Sequence, residues 1–507
     1  MYLSEMDRTS ARTPFERSVL WGVFLLYLIV SAYTTMHHEM WGDEIHSWNI
    51  AKGSTSYADL IHNTRYEGHP PVWYTIIWTI SKFTHNLVYV QMVHWFIAAL
   101  IVFLVLFFSP MPLVSRALVP FGYYFLYEYS VLSRNYAIGI LLACFICMVM
   151  RKEFRYKILV YYLLLLLMSN THLLALVLAG CIHLYFLLQN IRQKKATKTI
   201  GVHVLTGVLV FLPALYFIFP PLDSQLNTQY WINRWNSEQI KALGQAPLRG
   251  FIPIPAWWEM HFWNTQFLLD SPHKSKFLNL LIALIPLAMA VYILYDEKKS
   301  LTLFLSNLML NFIIALVVFP LTSARYAGFL FIGFVISYWL YCYEVPVTTR
   351  KKVFANSLLI VQAITGLFMV ARDVSLPFSN AYKVPELLRS PGPGERVVTD
   401  YWAMNTISAF ADRSMYCIDI QREISFVLWG SELGDALKKP HRYFDGVKNL
   451  FHKEKLSKIY MISTGSPEML RKADPKLFEA YRVVVTDKRV GAVEKGGNLY
   501  LYEITNL

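Results

Sequence analysis

Long apolar runs separated by short polar ones dominate the first three quarters of this chain. Apolar stretches long enough to cross about 30 Å of hydrocarbon fall at 19–36, 86–108, 135–150, 171–189, 200–220, 277–295, 301–320, 326–343 and 353–371. Shorter runs at 117–127 and 158–168 bring the expected number of spans to about eleven. Beyond Arg372 the pattern changes. Apolar density drops, Pro391-Gly-Pro-Gly394 breaks the chain, and strand-like runs at 396–400, 415–420, 457–462, 482–487 and 497–503 alternate with helical ones near 401–411, 441–453 and 466–479. That alternation predicts a small α/β unit. The expected fold is therefore a polytopic α-helical membrane domain over residues 1–371, with outer loops at 37–70 and 221–276, followed by an extracytoplasmic α/β accessory domain over 372–507.

Composition agrees with this reading. With 55% hydrophobic and 16% aromatic residues in 507, the chain carries more apolar surface than a soluble fold of this size can bury. Basic residues then set the orientation, because Lys and Arg are retained on the cytoplasmic side. They crowd the segments that lie inside when the N-terminus does: Arg8, Arg12 and Arg17; Arg116; Arg151, Lys152, Arg155 and Lys157; Arg192, Lys194, Lys195 and Lys198; Lys298 and Lys299; Arg350, Lys351 and Lys352. The loops on the opposite side are sparser in them. An integral plasma (inner) membrane protein is expected, with a cytoplasmic N-terminus and its α/β domain in the periplasm or exterior. The net charge of +13 is largely this topological signal and does not call for nucleic acid. The first apolar run lacks a small-residue cleavage site and reads as a retained anchor.

Four cysteines, Cys144, Cys147, Cys181 and Cys342, lie in apolar spans and read as packing, and Cys417 stands alone outside them. The 221–276 loop is rich in aromatics: Tyr230, Trp231, Trp235, Trp257, Trp258, Phe262 and Trp263. Two readings stay open for it, an interfacial belt and a platform for sugar or lipid.

Candidate chemistry gathers at the outer ends of helices. The expected spans contain no Asp, Glu, Lys or Arg, which disfavours a pump or an ion-coupled carrier. In the first outer loop stand Trp41-Gly-Asp-Glu-Ile-His46 and Tyr66-Glu-Gly-His-Pro-Pro-Val72. Farther on come Ser133-Arg-Asn-Tyr136, Ser169-Asn-Thr-His172 and Ser323-Ala-Arg-Tyr326. Asp43 and Glu44 are candidate catalytic groups, since a carboxylate can take a proton from an attacking hydroxyl. Glu67, His69, Arg134, Tyr136, His172, Arg325 and Tyr326 are candidate substrate-binding residues, the arginines because a guanidinium binds phosphate bidentately. Asp43, Glu44, His46, Glu67 and His69 are of the types that ligate a divalent ion; their spacing fixes no metal site, and metal use stays open.

The Asp43-Glu44 pair in a first outer loop, His69-Pro-Pro71 opening the next segment, Arg134-x-Tyr136 at a helix end and Thr171-His172 together resemble the protein O-mannosyltransferase-like branch of the GT-C glycosyltransferases, over roughly residues 15–330. The resemblance implies an inverting membrane enzyme of the cell envelope that moves a monosaccharide from a polyprenyl-phosphate carrier to a hydroxyl acceptor on protein, lipid or glycan. It also implies Asp43 as the base, and two helices along the membrane surface at 44–62 and 70–84. The chain lacks the β-trefoil insert of protein mannosyltransferases; its α/β tail is more similar to bacterial transferases that modify lipid A, surface glycan or protein. A lipid-linked glycan ligase or polymerase, and a non-catalytic flippase or scaffold, are the alternatives.

Overall fold

The computed structural model describes residues 13–225, 237–271, 275–319 and 321–507. In chain order the first helices are α1 (Pro14–His37), α2 (Gly42–Gly53), α3 (Tyr57–Arg65), α4 (Val72–Ser81), α5 (Val88–Phe108), α6 (Leu113–Leu118) and α7 (Tyr136–Arg151). There follow α8 (Lys157–Ser169), α9 (Leu173–Arg192), α10 (Thr197–Ile218), α11 (Ser237–Phe251), α12 (Lys276–Leu294), α13 (Lys298–Val317), α14 (Ala324–Glu344) and α15 (Thr349–Ser375). Among the described residues eight helices are long and apolar enough to cross a membrane: α1, α5, α9, α10, α12, α13, α14 and α15. The chain is a membrane-embedded helical protein.

Two of the remaining expected spans, 135–150 and 158–168, form the shorter apolar helices α7 and α8, of 16 and 13 residues. The run at 117–127 does not form a spanning helix. It breaks into the end of α6, a 3-10 turn at Val119–Phe121 and a π turn at Tyr124–Glu128. Pro120 removes a backbone donor, and a Cβ on Gly366 of α15 would meet the Phe121 carbonyl at 2.3 Å. The broken segment is therefore pressed against α15 where no side chain fits.

The loop between α1 and α5 contains three helices where two were expected. Ser54-Thr55-Ser56 ends α2 and caps α3, the Ser56 hydroxyl accepting from Asp59 N at 3.1 Å. Gly68 then takes a φ of 63°, a left-handed conformation that suits glycine, and this turn delivers His69 and the two prolines to the start of α4.

After α15 the chain forms α16 (Val384–Arg389), β1 (Val397–Thr399), α17 (Tyr401–Ala411), β2 (Met415–Cys417), β3 (Arg422–Ile424), α18 (Ser431–Lys438) and α19 (Arg442–Glu454). It ends with β4 (Lys458–Ser463), α20 (Pro467–Ala473), α21 (Pro475–Ala480), β5 (Tyr481–Arg489) and β6 (Leu499–Asn506). The six strands make one sheet in the order β3-β2-β1-β4-β6-β5. Its centre, β2-β1-β4, is parallel and its flanks are antiparallel. The short strand β3 and the helix α18 were not foreseen, and the single helix expected at 466–479 is divided at Asp474-Pro475.

This α/β part is seated on the loop between α1 and α5. The Asn49 amide donates to the Asn405 carbonyl at 2.7 Å, Lys52 pairs with Asp412, and a Cβ on Gly53 would strike the Phe426 ring at 2.4 Å. On the other side the β5–β6 connection docks beyond α15, where Val493 N donates to the Pro377 carbonyl at 2.9 Å and Glu494 N to that of Phe378 at 3.0 Å.

Candidate functional site

Helix α2 carries the acid pair in its first turn, where carboxylates complement the partial positive charge of a helix N-terminus. A step of about 100° per residue sends the two acids in different directions. Asp43 keeps 37% of its side-chain surface open, and its Oδ2 accepts from Arg325 Nη1 at 2.6 Å and lies 3.7 Å from Arg134 Nη2. Arg134 also donates to the Asp43 carbonyl and to Ser47 Oγ, the latter at 3.4 Å. Burial alone would raise the Asp43 pKa, but Arg325 and then Arg134 override it and hold the carboxyl down at about 2.

Both arginines are held by the fold. Arg134 lies in the turn before α7, and the His94 ring of α5 sits between the carbonyls of Ser130, at 3.1 Å, and Arg134, at 3.0 Å. Arg325 opens α14, whose first turn is tied down by Tyr129 Oη donating to the Arg325 carbonyl at 2.5 Å and Tyr124 Oη to that of Ala324 at 3.2 Å. The Arg325 guanidinium lies 5.3 Å from the Trp41 ring and 5.0 Å from that of Tyr326, faces that attract a cation. The Nε of each arginine is buried without a hydrogen-bond partner among the described residues.

Glu44 does not join this cluster. It is buried, its Oε2 accepts from His38 Nε2 at 3.1 Å and from Trp41 N at 3.2 Å, and its Oε1 accepts from Ser133 N. Placed next to Asp43 as a catalytic candidate by sequence, it instead braces the N-terminus of α2 to the turn that carries Arg134. His38 donates in turn to Asp373 at the end of α15, Nδ1 to Oδ1 at 3.1 Å, and Tyr127 Oη donates to the same oxygen at 2.9 Å. Burial would lower the His38 pKa, yet Asp373 and then Glu44 raise it to about 10, so the ring is an imidazolium between two carboxylates.

The other binding candidates distribute around Asp43. Glu67 Oε2 accepts from His46 Nε2 at 2.8 Å. His69 is close enough to Arg134, Asp43 and Arg325 to feel all three charges; burial first, and Arg134 next, push its pKa down to about 3, so it is neutral, with Nδ1 unpartnered. His172 caps α9 by accepting from Ala175 N at 3.3 Å, leaves Nε2 unpartnered, and stacks edge-on against Tyr136 at 4.9 Å. A hydrogen bond from Val72 N to the Asn170 carbonyl, at 3.3 Å, ties its loop to that of His69. Tyr136 is buried beneath the cluster, and Tyr326 lies beside Arg325. The two widely separated arginines and the loop-1 acid thus meet at one place.

Sequence reasoning did not find the residues supplied by the α/β part. The Asn405 amide donates to His46 Nδ1 at 2.9 Å. Glu494, on the β5–β6 connection, is near enough to Asp43 and Arg325 to feel both. The 221–276 loop splits by environment. Trp257 and Trp258 are exposed, whereas Phe262 and Trp263 are buried, and Trp263 packs on Trp41 at 4.9 Å and donates to Glu128 at 3.1 Å. Tyr230, Trp231 and Trp235 lie outside the described residues. Among the described residues no group of three His, Cys, Asp or Glu side chains is gathered as a metal centre.

Comparison with known proteins adds no family to this picture: no protein-family model matches the chain, and no curated protein matches it. What the site can do rests on its own groups: an open carboxylate, two guanidiniums with a donor to spare on each, and neutral imidazoles, gathered where the α1–α5 loop meets the starts of α7, α9 and α14.

Proposed function

We propose that this protein is an inverting glycosyltransferase that moves a monosaccharide from a polyprenyl-phosphate carrier to a hydroxyl acceptor on the outer face of the membrane. The observation that carries this reading is the convergence of Arg134 and Arg325 on Asp43. Two arginines at the edge of a hydrocarbon layer offer charge and bidentate donors to a lipid phosphate, in surroundings of reduced dielectric where the attraction is strong. Asp43 lies between them as the base. The acceptor oxygen attacks the anomeric carbon and its proton passes to Asp43. The bond between that carbon and the phosphate oxygen breaks, and the electron pair leaves with polyprenyl phosphate, whose charge the arginines neutralise. The same arginines hold Asp43 acidic. A phosphate that claims them releases the carboxylate toward ordinary basicity, so donor binding prepares the base.

Sidedness belongs to the proposal and rests on the basic residues of the inner segments. The test uses sealed vesicles of known orientation containing the purified chain and a radiolabelled polyprenyl-phosphate sugar. Release of polyprenyl phosphate with label transferred to an acceptor at the exterior face is expected. Sugar crossing the bilayer with no release would replace the transferase by a flippase, and release confined to vesicles of opposite orientation would invert the topology.

A further inference from the structure

One turn along α2 from Asp43, three residues form a short chain of hydrogen bonds, one of them from the α/β part. Asn405 of α17 donates to His46 Nδ1, so the His46 proton sits on Nε2 and is donated to Glu67 Oε2. Each end of this chain leaves one acceptor unused. Glu67 Oε1 is buried with no hydrogen-bond partner among the described residues, in a side chain only 6% exposed, and Asn405 Oδ1 is likewise buried and unpartnered. A buried acceptor without a donor is destabilising, and the two side chains that carry these acceptors flank one imidazole. Both acceptors lack a donor among the described residues, where no group of three His, Cys, Asp or Glu side chains accompanies them.

We infer that Glu67, His46 and Asn405 form a subsite for an uncharged, hydroxyl-rich group, completed only when the α/β part sits on the first outer loop. An anion would meet the Glu67 charge, whereas sugar hydroxyls supply the donors that both orphaned oxygens lack. Under the transferase reading, on which this assignment of role rests, the group is the acceptor glycan, received beside Asp43. Asn405 is then a positioning residue: it fixes the His46 tautomer and thereby the Glu67 carboxylate. The docking of α17 on α2 becomes part of the site.

The probes are methyl glucoside, an uncharged polyol; its 2-amino counterpart; and methyl phosphate, an anion of small size. Each is added to the full chain in lipid nanodiscs, and binding is read by saturation-transfer NMR. Two variants test the assignment. Glu67→Gln keeps the volume, but its amide oxygen must turn to accept from His46, which places an NH₂ where Oε1 was. Asn405→Leu removes the contact that sets the tautomer. The expected result is transfer to methyl glucoside in the wild type and a loss of at least about fivefold in both variants, with unchanged thermal unfolding of Glu67→Gln as the control for folding. No wild-type signal for methyl glucoside, an unchanged signal in both variants, or a methyl phosphate signal that falls with it in both variants overturns the subsite; a preference for the amino sugar overturns the uncharged assignment. A wild type that binds the glycoside while consuming no polyprenyl-phosphate sugar removes the transferase reading and leaves the subsite standing. Turnover without any change in glycoside binding does the reverse.

Discussion

Asp43 and Glu44 are neighbours in sequence and share the first turn of α2, yet one faces an opening lined by arginines and the other is enclosed among His38, Trp41 and Ser133. The chemical group is nearly the same on both faces. What differs is whether the carboxylate has lone pairs left. Glu44 has committed both oxygens to donors that belong to the frame, so nothing remains for a substrate. Asp43 is satisfied only by two guanidiniums, each with a spare Nε–H, and a better anion can displace it. The carboxylate proposed to act and the one that braces the frame are thus separated by the identity of their donors.

The largest effect expected from this contrast is on the arginine face. Arg325→Ala or Arg134→Ala should lower kcat/KM for the polyprenyl-phosphate sugar about 10²- to 10³-fold, the scale for losing a donor to developing charge. The Lys variants should keep part of the activity with a raised donor KM, because the charge stays and the fork is lost. Wild-type donor kinetics in both Ala variants would detach the arginines from phosphate.

The next effect belongs to the enclosed face. His38→Ala leaves Glu44 and Asp373 buried without their shared cation and should cost roughly 3–5 kcal/mol of stability, measured as a fall in unfolding temperature in detergent. The sign with pH follows from the raised His38 pKa. Protonation of the folded state stabilises it fully below the unfolded value near 6.5, and that contribution is lost as pH rises through about 10. Wild-type stability should therefore decline over that window, and His38→Ala should flatten the decline. An equally steep decline in the variant would assign it to another group.

A smaller effect sharpens the electrostatics of Asp43. Its lowered pKa keeps the carboxylate charged in the free protein down to about pH 2. Arg325→Ala should move the acid limb of kcat/KM upward toward the ordinary Asp value near 3.9, since kcat/KM reports the free enzyme. A limb that stays in place would mean that Arg325 does not set the charge of Asp43.

Much of this site was legible before the fold was known. Asp43, His69, Arg134, His172 and Arg325 stand out as polar residues at the ends of apolar runs, and hydropathy alone brings such ends to one depth. The long helices were legible for the same reason. Three things were not. The different fates of Asp43 and Glu44 depend on one residue's rotation about a helix whose start is set by Trp41. The span expected at 117–127 failed because apolar composition does not distinguish a spanning helix from a broken segment packed against α15, although Pro120 and Gly122 were visible signs. Asn405 and Glu494 carried no sequence signal: they reach the site through the docking of α17 and the β5–β6 connection, contacts made across hundreds of residues.

The most direct test of the account compares the two neighbouring acids in one assay. Asp43→Asn and Glu44→Gln are purified in parallel, polyprenyl-phosphate release is measured at saturating donor, and thermal unfolding is followed on the same samples. Asp43→Asn should lose on the order of 10²-fold or more in turnover with its unfolding temperature kept near that of the wild type, while Glu44→Gln should unfold at lower temperature. Near-normal turnover in Asp43→Asn would contradict the account, because the open carboxylate would then have no part in the chemistry.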